Sequence, residues 1–541
     1  MHRLSRRELL SSATGAAALA TTLNASSATP SSANKSIEAP QAPFKSMRDY
    51  IASLEARGQV IRIPEVDQDA FEATALMYRM RDQHGMRGAP VMIFDRVKID
   101  DEWIDGPLIV NESGNMEGEC LIFGLEPVSE PALSKPSFKS YVKARSHVEK
   151  MIEDNGGLYP TIPPVVVDRS TAACKQVVLT GDDIDLTKFA FIKGNPGDAG
   201  RYINTTMVFT MNPKYGPNYG TYRCHLRGPK EIAINCEPGQ TGNRNLMAIK
   251  RSGAKVAKVS IALTADPYAW MLSGSKVSMS FSTPVDELAI AGGLAGRPTE
   301  TVKSETNDIF VPAWAEMIIE GEVPLDDFRD EGPYAEWYGY QGPRKKDVFW
   351  MNVTAVTHRK KPWLMNNFTG IQAGTLMAAG HAGRMRNLRK RFPHLVDWFY
   401  DTRVSGLTVV SINKTKPGQG IEIANDIVKK DFTSKIAIVV DADVDIYNHE
   451  EVLMALQARW QPYSNISLHE SLPIVPLDES APVIGRGSKV AIDATWQLPE
   501  EGKVRPKPKM NRTLVETFAP EAFRQVDKKW GALIRNWKTP V

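Results

Sequence analysis

The sequence predicts a mixed α/β (α+β) protein with three structured regions, and three patterns carry the prediction. Between residues 46 and 157, amphipathic helical stretches alternate with short apolar runs. Between 202 and 236, β-branched and aromatic runs are separated by turns rich in Pro and Gly. Between 435 and 459, a β-branched run, an acidic loop and a helical stretch follow one another. The first and third read as α/β units and the second as an antiparallel meander. A length of 541 residues fits several domains of roughly 150 residues better than one core.

In order along the chain, Ser46-Met47-Arg48-Asp49 has capping-box spacing, and Met47, Tyr50, Ile51 and Leu54 share one helical face before Gly58. Residues 60–63 and 91–94 read as strands flanking a helix over 70–84 that Gly85 ends. A helix over 139–153 closes on Gly156-Gly157, and Pro160-Thr-Ile-Pro163-Pro164 reads as a linker. Strands over 202–211, 218–226 and 231–236 are joined by Asn212-Pro213-Lys-Tyr-Gly216-Pro217 and Arg227-Gly228-Pro229-Lys230. A strand over 255–263 and a helix over 285–294 make the middle third a β-barrel or curved sheet with inserted helices. The last unit is a strand over 435–440, the loop Asp441-Ala-Asp-Val-Asp445 and a helix over 450–459. The tail after Gly502, rich in Pro and Lys, is expected to wrap a neighbouring surface or lie outside the fold.

Composition narrows the function. Hydrophobic residues at 42% and charged residues at 24% exclude collagen-like, coiled-coil and disordered chains. A net charge of +3 is too dilute for a phosphate-binding surface, so nucleic acid is not expected as a partner. Four cysteines without a CxxC pair form no disulfide framework. Ser5-Arg6-Arg7-Glu8-Leu9-Leu10, a weakly apolar stretch over 13–23 and a Ser/Ala/Thr/Pro tract read as a twin-arginine export signal over 1–33, cleaved after Ala28 or Ala33. Periplasmic or exported localisation follows, with a cytoplasmic protein bearing a basic N-terminus as the alternative. No later stretch reaches the ~18 apolar residues of a membrane span, so stable membrane insertion is not expected.

Several motifs fail on spacing. Gly485-Arg-Gly487-Ser-Lys489 lacks the phosphate-loop pattern, and Asp441-Ala-Asp443-Val-Asp445 lacks the downstream Gly and Glu of a calcium loop. HExxH and GxSxG are both absent. The stronger segment is Asp330-Glu331-Gly-Pro-Tyr-Ala-Glu336-Trp-Tyr-Gly-Tyr-Gln-Gly342, which sets two carboxylates among aromatic rings. Desolvation there favours a proton donor working near neutral pH, although an aromatic turn with exposed acids has the same pattern. Arg223, in the expected strand, needs an anionic partner if buried: a substrate carboxylate, a cofactor phosphate or one of these glutamates.

Taken together, Asn218-Tyr-Gly-Thr-Tyr-Arg223, Val285-Asp-Glu287-Leu-Ala-Ile-Ala-Gly292-Gly293, Ser304 to Glu316 and Glu331-Gly-Pro-Tyr-Ala-Glu336 resemble the UbiD family of decarboxylases in composition, order and spacing. Thr354-Ala-Val-Thr-His358-Arg-Lys and Ser488 to Thr495 extend the resemblance, which covers about residues 45 to 500. It implies an N-terminal α/β domain over 34–160, a split β-barrel flavin-binding domain over 161–345, a C-terminal α/β dimerisation domain over 346–500 and a tail over 501–541. It also implies prenylated FMN with a divalent metal, Mn2+ first, and a monovalent cation such as K+ as a further ion. The implied partners are a small carboxylic acid substrate, a flavin prenyltransferase that supplies the cofactor, and further copies of the chain in a homodimer or higher homo-oligomer.

Carried over by position, the resemblance makes Glu336, Arg223 and Glu331 the catalytic network, with Glu336 as proton donor. It makes Asn218, Tyr219, Gly220, Thr221, Tyr222, Arg223, Gln240, Thr241, Met279 and Glu287 the cofactor-binding residues. Asn218 and Glu287 match metal ligands. The family's third ligand, a histidine, is missing: Gly239-Gln240-Thr241-Gly242 stands in its place with no His between 226 and 357, so Thr241 becomes the third candidate. Lys429 and Lys435 are both open as the phosphate-binding lysine. The implied reaction is reversible, non-oxidative decarboxylation of an aromatic or α,β-unsaturated acid. A redox flavoprotein with unmodified FMN, or an exported accessory protein with a degenerate metal site, would share much of this pattern.

Overall fold

The structure is a computed structural model that describes residues 39–128, 138–275, 277–282, 285–502 and 507–536. The expected export signal over 1–33 lies outside the described residues. Helix Met47–Ala56 begins as the sequence predicts: Ser46 Oγ accepts from Asp49 N, Asp49 accepts from Ser46 N, and Met47, Tyr50, Ile51 and Leu54 are buried. The first sheet has four strands in the order Val60–Asp67, Val91–Ile99, Glu102–Val110 and Leu364–Asn366. Its fourth strand comes from far along the sequence and ties this sheet to the segment that follows the central sheet. Helices Glu72–His84 and Lys139–Asp154 occupy the stretches predicted for them.

Pro160 to Pro164 is not a free linker. Ile162 N donates to Ala289 O at 2.9 Å, and a Cβ on Gly293 would lie 1.9 Å from Pro160 O. Gly292 and Gly293 therefore give helix Glu287–Ala295 a face flat enough for this segment to lie on it.

The central sheet has ten strands. Its main path runs Tyr202–Ile203, Cys224–Leu226, Glu231–Ile234, Lys345–His358, Met317–Pro324, Val256–Leu263, Thr206–Asn212, Gly216–Gly220, and Phe328–Glu331 and Val177–Thr180 add to Lys345–His358. Residues 218–226, predicted as one strand, are two. Thr221 N donates to Ser273 O and Tyr222 N to Thr206 Oγ1, so both leave the ladder. The two pieces lie near opposite ends of the path, yet four peptide steps join Gly220 to Cys224, a reach of at most about 14 Å. The sheet must curl to bring its ends together, as a split barrel does. Its interior is lined by Val208, Val259, Ile261, Ile319, Met351 and Val356, all buried in one cluster. Strand Lys345–His358 carries this sheet beyond the boundary expected at 345.

The C-terminal sheet runs Leu395–Tyr400, Leu407–Ile412, Ile436–Asp441, Arg486–Asp493, Ile466–Pro473, with a parallel centre and helices Gln419–Lys430 and His449–Arg459 beside it. Asp441 and Asp443 both meet Arg459 Nη1 at 2.7 Å, so the acidic loop is neutralised from within the fold. The tail forms helices Asn511–Phe518 and Glu521–Asn536, which leave Phe518, Trp530 and Leu533 exposed.

Candidate active site

Arg223 is fixed first by its backbone, whose carbonyl accepts from Asn235 N at 3.0 Å. Its side chain then meets both predicted glutamates. Nε donates to Glu331 Oε1 at 3.1 Å, Nη2 donates to Glu331 Oε2 at 2.6 Å, and Nη1 donates to Glu336 Oε1. Glu331 ends strand Phe328–Glu331, opposite Lys345, and is fully buried. Glu336 follows the Tyr334–Ala335 arm of a small hairpin, where its N–H donates to Tyr340 O and Gly339 N donates back to its carbonyl, both at 2.9 Å. Gly342 on the facing arm must lack a side chain, because a Cβ there would stand 2.6 Å from Glu336 Cγ. The hairpin is held from outside by Asp198, whose carboxylate accepts from Ala335 N at 2.7 Å.

Aromatic groups close the network. The Arg223 guanidinium lies 4.5 Å from the Tyr334 ring centroid, and Tyr334 packs on Tyr202, which stacks on His225 at 4.6 Å. Burial, then the neighbouring Arg227, pushes His225 down to about 4, so this ring is neutral. Burial opposes the charge on Arg223, but Glu336 and Glu331 outweigh it and hold the guanidinium above its ordinary range. A buried, bidentate arginine between two carboxylates is fixed in orientation, which a lysine would not be.

The second group of predicted residues forms a separate polar nook. Asn218 Nδ2 and Ser278 Oγ both donate to Glu287 Oε1 at 2.8 Å. Two oxygens here are buried without a hydrogen-bond donor: Asn218 Oδ1 and Glu287 Oε2. Burial pushes the Glu287 carboxyl up to about 7 against the hydrogen bonds from Ser278 and Asn218. Buried oxygens lacking donors are a donor set for a hard cation, so these residues fit the ion that the resemblance implies. Among the described residues, no group of three His, Cys, Asp or Glu side chains could hold a metal.

The other expected cofactor residues divide. Tyr219 donates to Ala269 O at 3.1 Å and stacks on Phe209; Thr221 Oγ1 donates to Ser273 Oγ at 2.7 Å; the Tyr222 hydroxyl accepts from Gly242 N at 2.9 Å. Gly220 permits the close approach of Tyr222, whose hydroxyl would stand 2.8 Å from a Cβ. Gln240 turns back on its own loop, its Oε1 accepting from Glu237 N at 2.6 Å. Thr241 is exposed at the start of helix Thr241–Arg251, whereas Asn218 Oδ1 and Glu287 Oε2 are buried. Met279 lies in the turn Val277–Ser280, and its side chain falls outside the described residues. Of the two lysines weighed for the phosphate, Lys435 is tied to Asp478 and Ser480 and Lys429 lies in the last turn of helix Gln419–Lys430.

Two family models match the chain: the 3-octaprenyl-4-hydroxybenzoate carboxy-lyase Rift-related domain over residues 165–372 and the C-terminal domain of the same family over 374–494. The chain belongs to the UbiD family. A UbiD-class enzyme, HmfF from Pelotomaculum thermopropionicum in complex with FMN, is 25% identical with a TM-score of 0.70, over 86% of this chain and 97% of that one. An evolved dimeric form of the same enzyme, in complex with prenylated FMN, gives 25% and 0.68 over the same shares. The vanillic acid decarboxylase of Sedimentibacter hydroxybenzoicus, in closed form, shares the fold with a TM-score of 0.71 at 24% identity, over 91% of this chain and 99% of that one. An uncharacterized protein of Archaeoglobus fulgidus is 29% identical over 509 residues, 91% of this chain and 99% of the relative.

Sequence reasoning missed several residues of this UbiD site. Asn235, with its amide oxygen turned inward, accepts from Arg223 Nε and Nη2 at 3.1 and 3.2 Å. Lys345 pairs with Glu237 and lies 3.9 Å from Glu336 Oε1. Asp198 precedes the strand predicted over 202–211, and Tyr202 opens that strand with no part in the site expected of it. Asp198, Tyr202 and Lys345 each meet a partner remote in sequence, and no local spacing announces any of these contacts.

Proposed function

We propose that this UbiD-family enzyme is a reversible, non-oxidative decarboxylase of an aromatic or α,β-unsaturated acid, working with prenylated FMN. The single observation that carries the reading is the buried Glu331–Arg223–Glu336 constellation. Support for the cofactor comes from the HmfF structures with FMN and prenylated FMN. Prenylated FMN supplies the electron sink for the pair left on an sp2 carbon when CO2 departs, which no side chain provides. Asn218 and Glu287 would hold the divalent ion, Mn2+ in our reading, with K+ as a further ion.

The protein's own groups do the rest. Three of the five N–H groups of Arg223 go to the glutamates, and Nη1 keeps a second N–H for the substrate carboxylate. Glu331, taking two of those bonds, locks the guanidinium plane and so the direction of that N–H. Glu336 reaches Arg223 through Oε1 only, so Oε2 is the atom that carries the proton to the carbon. The buried surroundings exclude water and keep the proton within the network.

The test is Glu336→Gln in enzyme made alongside a flavin prenyltransferase and offered cinnamic, vanillic and 3,4-dihydroxybenzoic acids. Turnover should fall by ~10² or more while flavin stays bound; near-normal turnover would remove Glu336 as donor. The reading further includes export through residues 1–33 and a homo-oligomer, for which the exposed apolar side chains of the tail helices are the support.

A further inference from the structure

Lys345 stands at the Glu336 carboxylate without a part in the reaction described above. It follows the hairpin Tyr334–Ala335/Gln341–Gly342 as the first residue of strand Lys345–His358, and its Nζ pairs with Glu237 Oε1. The same Nζ is 3.9 Å from Glu336 Oε1, within ion-pair range of the atom that Arg223 also holds. Side-chain exposure rises from 9% at Glu336 to 18% at Lys345 and 33% at Glu237, so the row runs from the buried network towards solvent.

Fully ionised, the five groups carry two positive charges, on Arg223 and Lys345, and three negative ones, on Glu237, Glu331 and Glu336. The network is one proton short of neutrality. Glu331 has two guanidinium N–H groups and Glu237 has the ammonium, while Glu336 shares both cations, Arg223 with Glu331 and Lys345 with Glu237. Glu336 is thus the carboxylate with no cation of its own, and it is the one that the proposed function makes the proton donor.

We propose that Lys345 is a positioning residue whose charge sets the protonation of Glu336, and that Glu237 meters how much of that charge Glu336 feels. The proposal rests on Glu336 being the proton donor. The loop that carries Glu237 is itself held, since Gln240 Oε1 accepts from Glu237 N. The other titratable groups facing the network are occupied or, like the Cys224 and Cys236 thiols, kept protonated by burial. His225 accepts from Arg227 Nε, and Arg227 also donates to Asp330 O. Asp330 pairs with Arg344 at 3.1 Å, Asp198 accepts from Ala335 N and Asn195 N, and the Tyr334 and Tyr202 hydroxyls are kept protonated by burial.

The test is an infrared difference titration of the protonated-carboxyl band in the holoenzyme, with the Glu336 signal identified as the part that Glu336→Gln removes. Lys345→Met should move that titration up by about one pH unit, because a cation is lost. Glu237→Gln should move it down by about one pH unit, because Lys345 loses its competing anion and turns fully to Glu336. In the double variant Glu237 has no ammonium left to meter, so the titration should lie nearer that of Lys345→Met than a simple sum of the two shifts gives. A loosened site would not give opposite shifts in the two single variants. Shifts of the same sign, or none in either single variant, would overturn the proposal. If Glu336→Gln keeps full turnover while the opposite shifts are seen, the donor assignment fails and the charge network stands. If Glu336→Gln loses turnover and the shifts are missing, only the role of Lys345 fails.

Discussion

Glu287 and Asn218 each present one buried oxygen that lacks a donor, and leaving such atoms unpaired costs about 1–3 kcal/mol each. A bound divalent ion removes that cost, so Mn2+ should raise the melting temperature of the wild type and have little effect on Glu287→Ala, which should also load less flavin. Equal Mn2+ stabilisation of both proteins would contradict the cation site. His225 offers a test by pH. Its folded-state value, about 4, lies below the usual ~6.5, so the unfolded chain binds a proton that the folded one refuses, and stability is lost as pH falls from about 6.5 to 4. Urea unfolding should show that loss, on the order of 3 kcal/mol, and show it flattened in His225→Phe. At this scale the resemblance to the UbiD family singled out Asn218, Arg223, Glu287, Glu331 and Glu336 before any fold was known, and the fold brings Arg223 to both glutamates and Asn218 to Glu287. Lys345 and Glu237 could not, because a lysine at the start of a strand looks like any solvated edge residue until its partner across the fold is seen.

Among the elements, helix Glu287–Ala295 shows how a short apolar helix can fix two things at once. Its N-terminal residue Glu287 is a predicted metal ligand, and its glycine pair receives the Pro160–Pro164 segment. Gly293→Ala should therefore destabilise the fold by about 2–3 kcal/mol in urea denaturation, since backbone rather than a flexible side chain meets the new Cβ. A neutral result would mean that the segment can lift off the helix. The break in the predicted 218–226 strand has a similar cause. β-Propensity reads Asn218 to Leu226 as continuous, but the backbone donors of Thr221 and Tyr222 find partners outside the ladder. That break takes the chain from one end of the central sheet to the other, with Asn218 on one side of the crossing and Arg223 at the other. Strand Lys345–His358 was illegible for a different reason: it starts in a run of charges that carries no alternation of apolar and polar residues.

For the whole molecule, the three-part α/β, curved-sheet, α/β order was readable from the switch between helical and β-branched patterning, whereas the joints were not. The strand Leu364–Asn366 returns to the first sheet, a pairing that no local pattern encodes. Export through residues 1–33 is tested on the intact chain: changing Arg6 and Arg7 together to Lys should leave active, full-length, flavin-loaded enzyme in the cytoplasm, because the twin-arginine route distinguishes guanidinium from ammonium. Wild-type protein found in the cytoplasm with its first residues still present would contradict export and leave the chemistry untouched. The decarboxylase reading itself is tested most directly by product analysis in D2O, using enzyme made alongside the prenyltransferase and the three acids named above. The expected product has lost CO2 and carries one deuterium at the carbon that bore the carboxylate, in enzyme loaded with prenylated FMN and not in enzyme loaded with FMN alone. An oxidised product with the carboxylate retained, or equal CO2 loss with unmodified FMN, would contradict it.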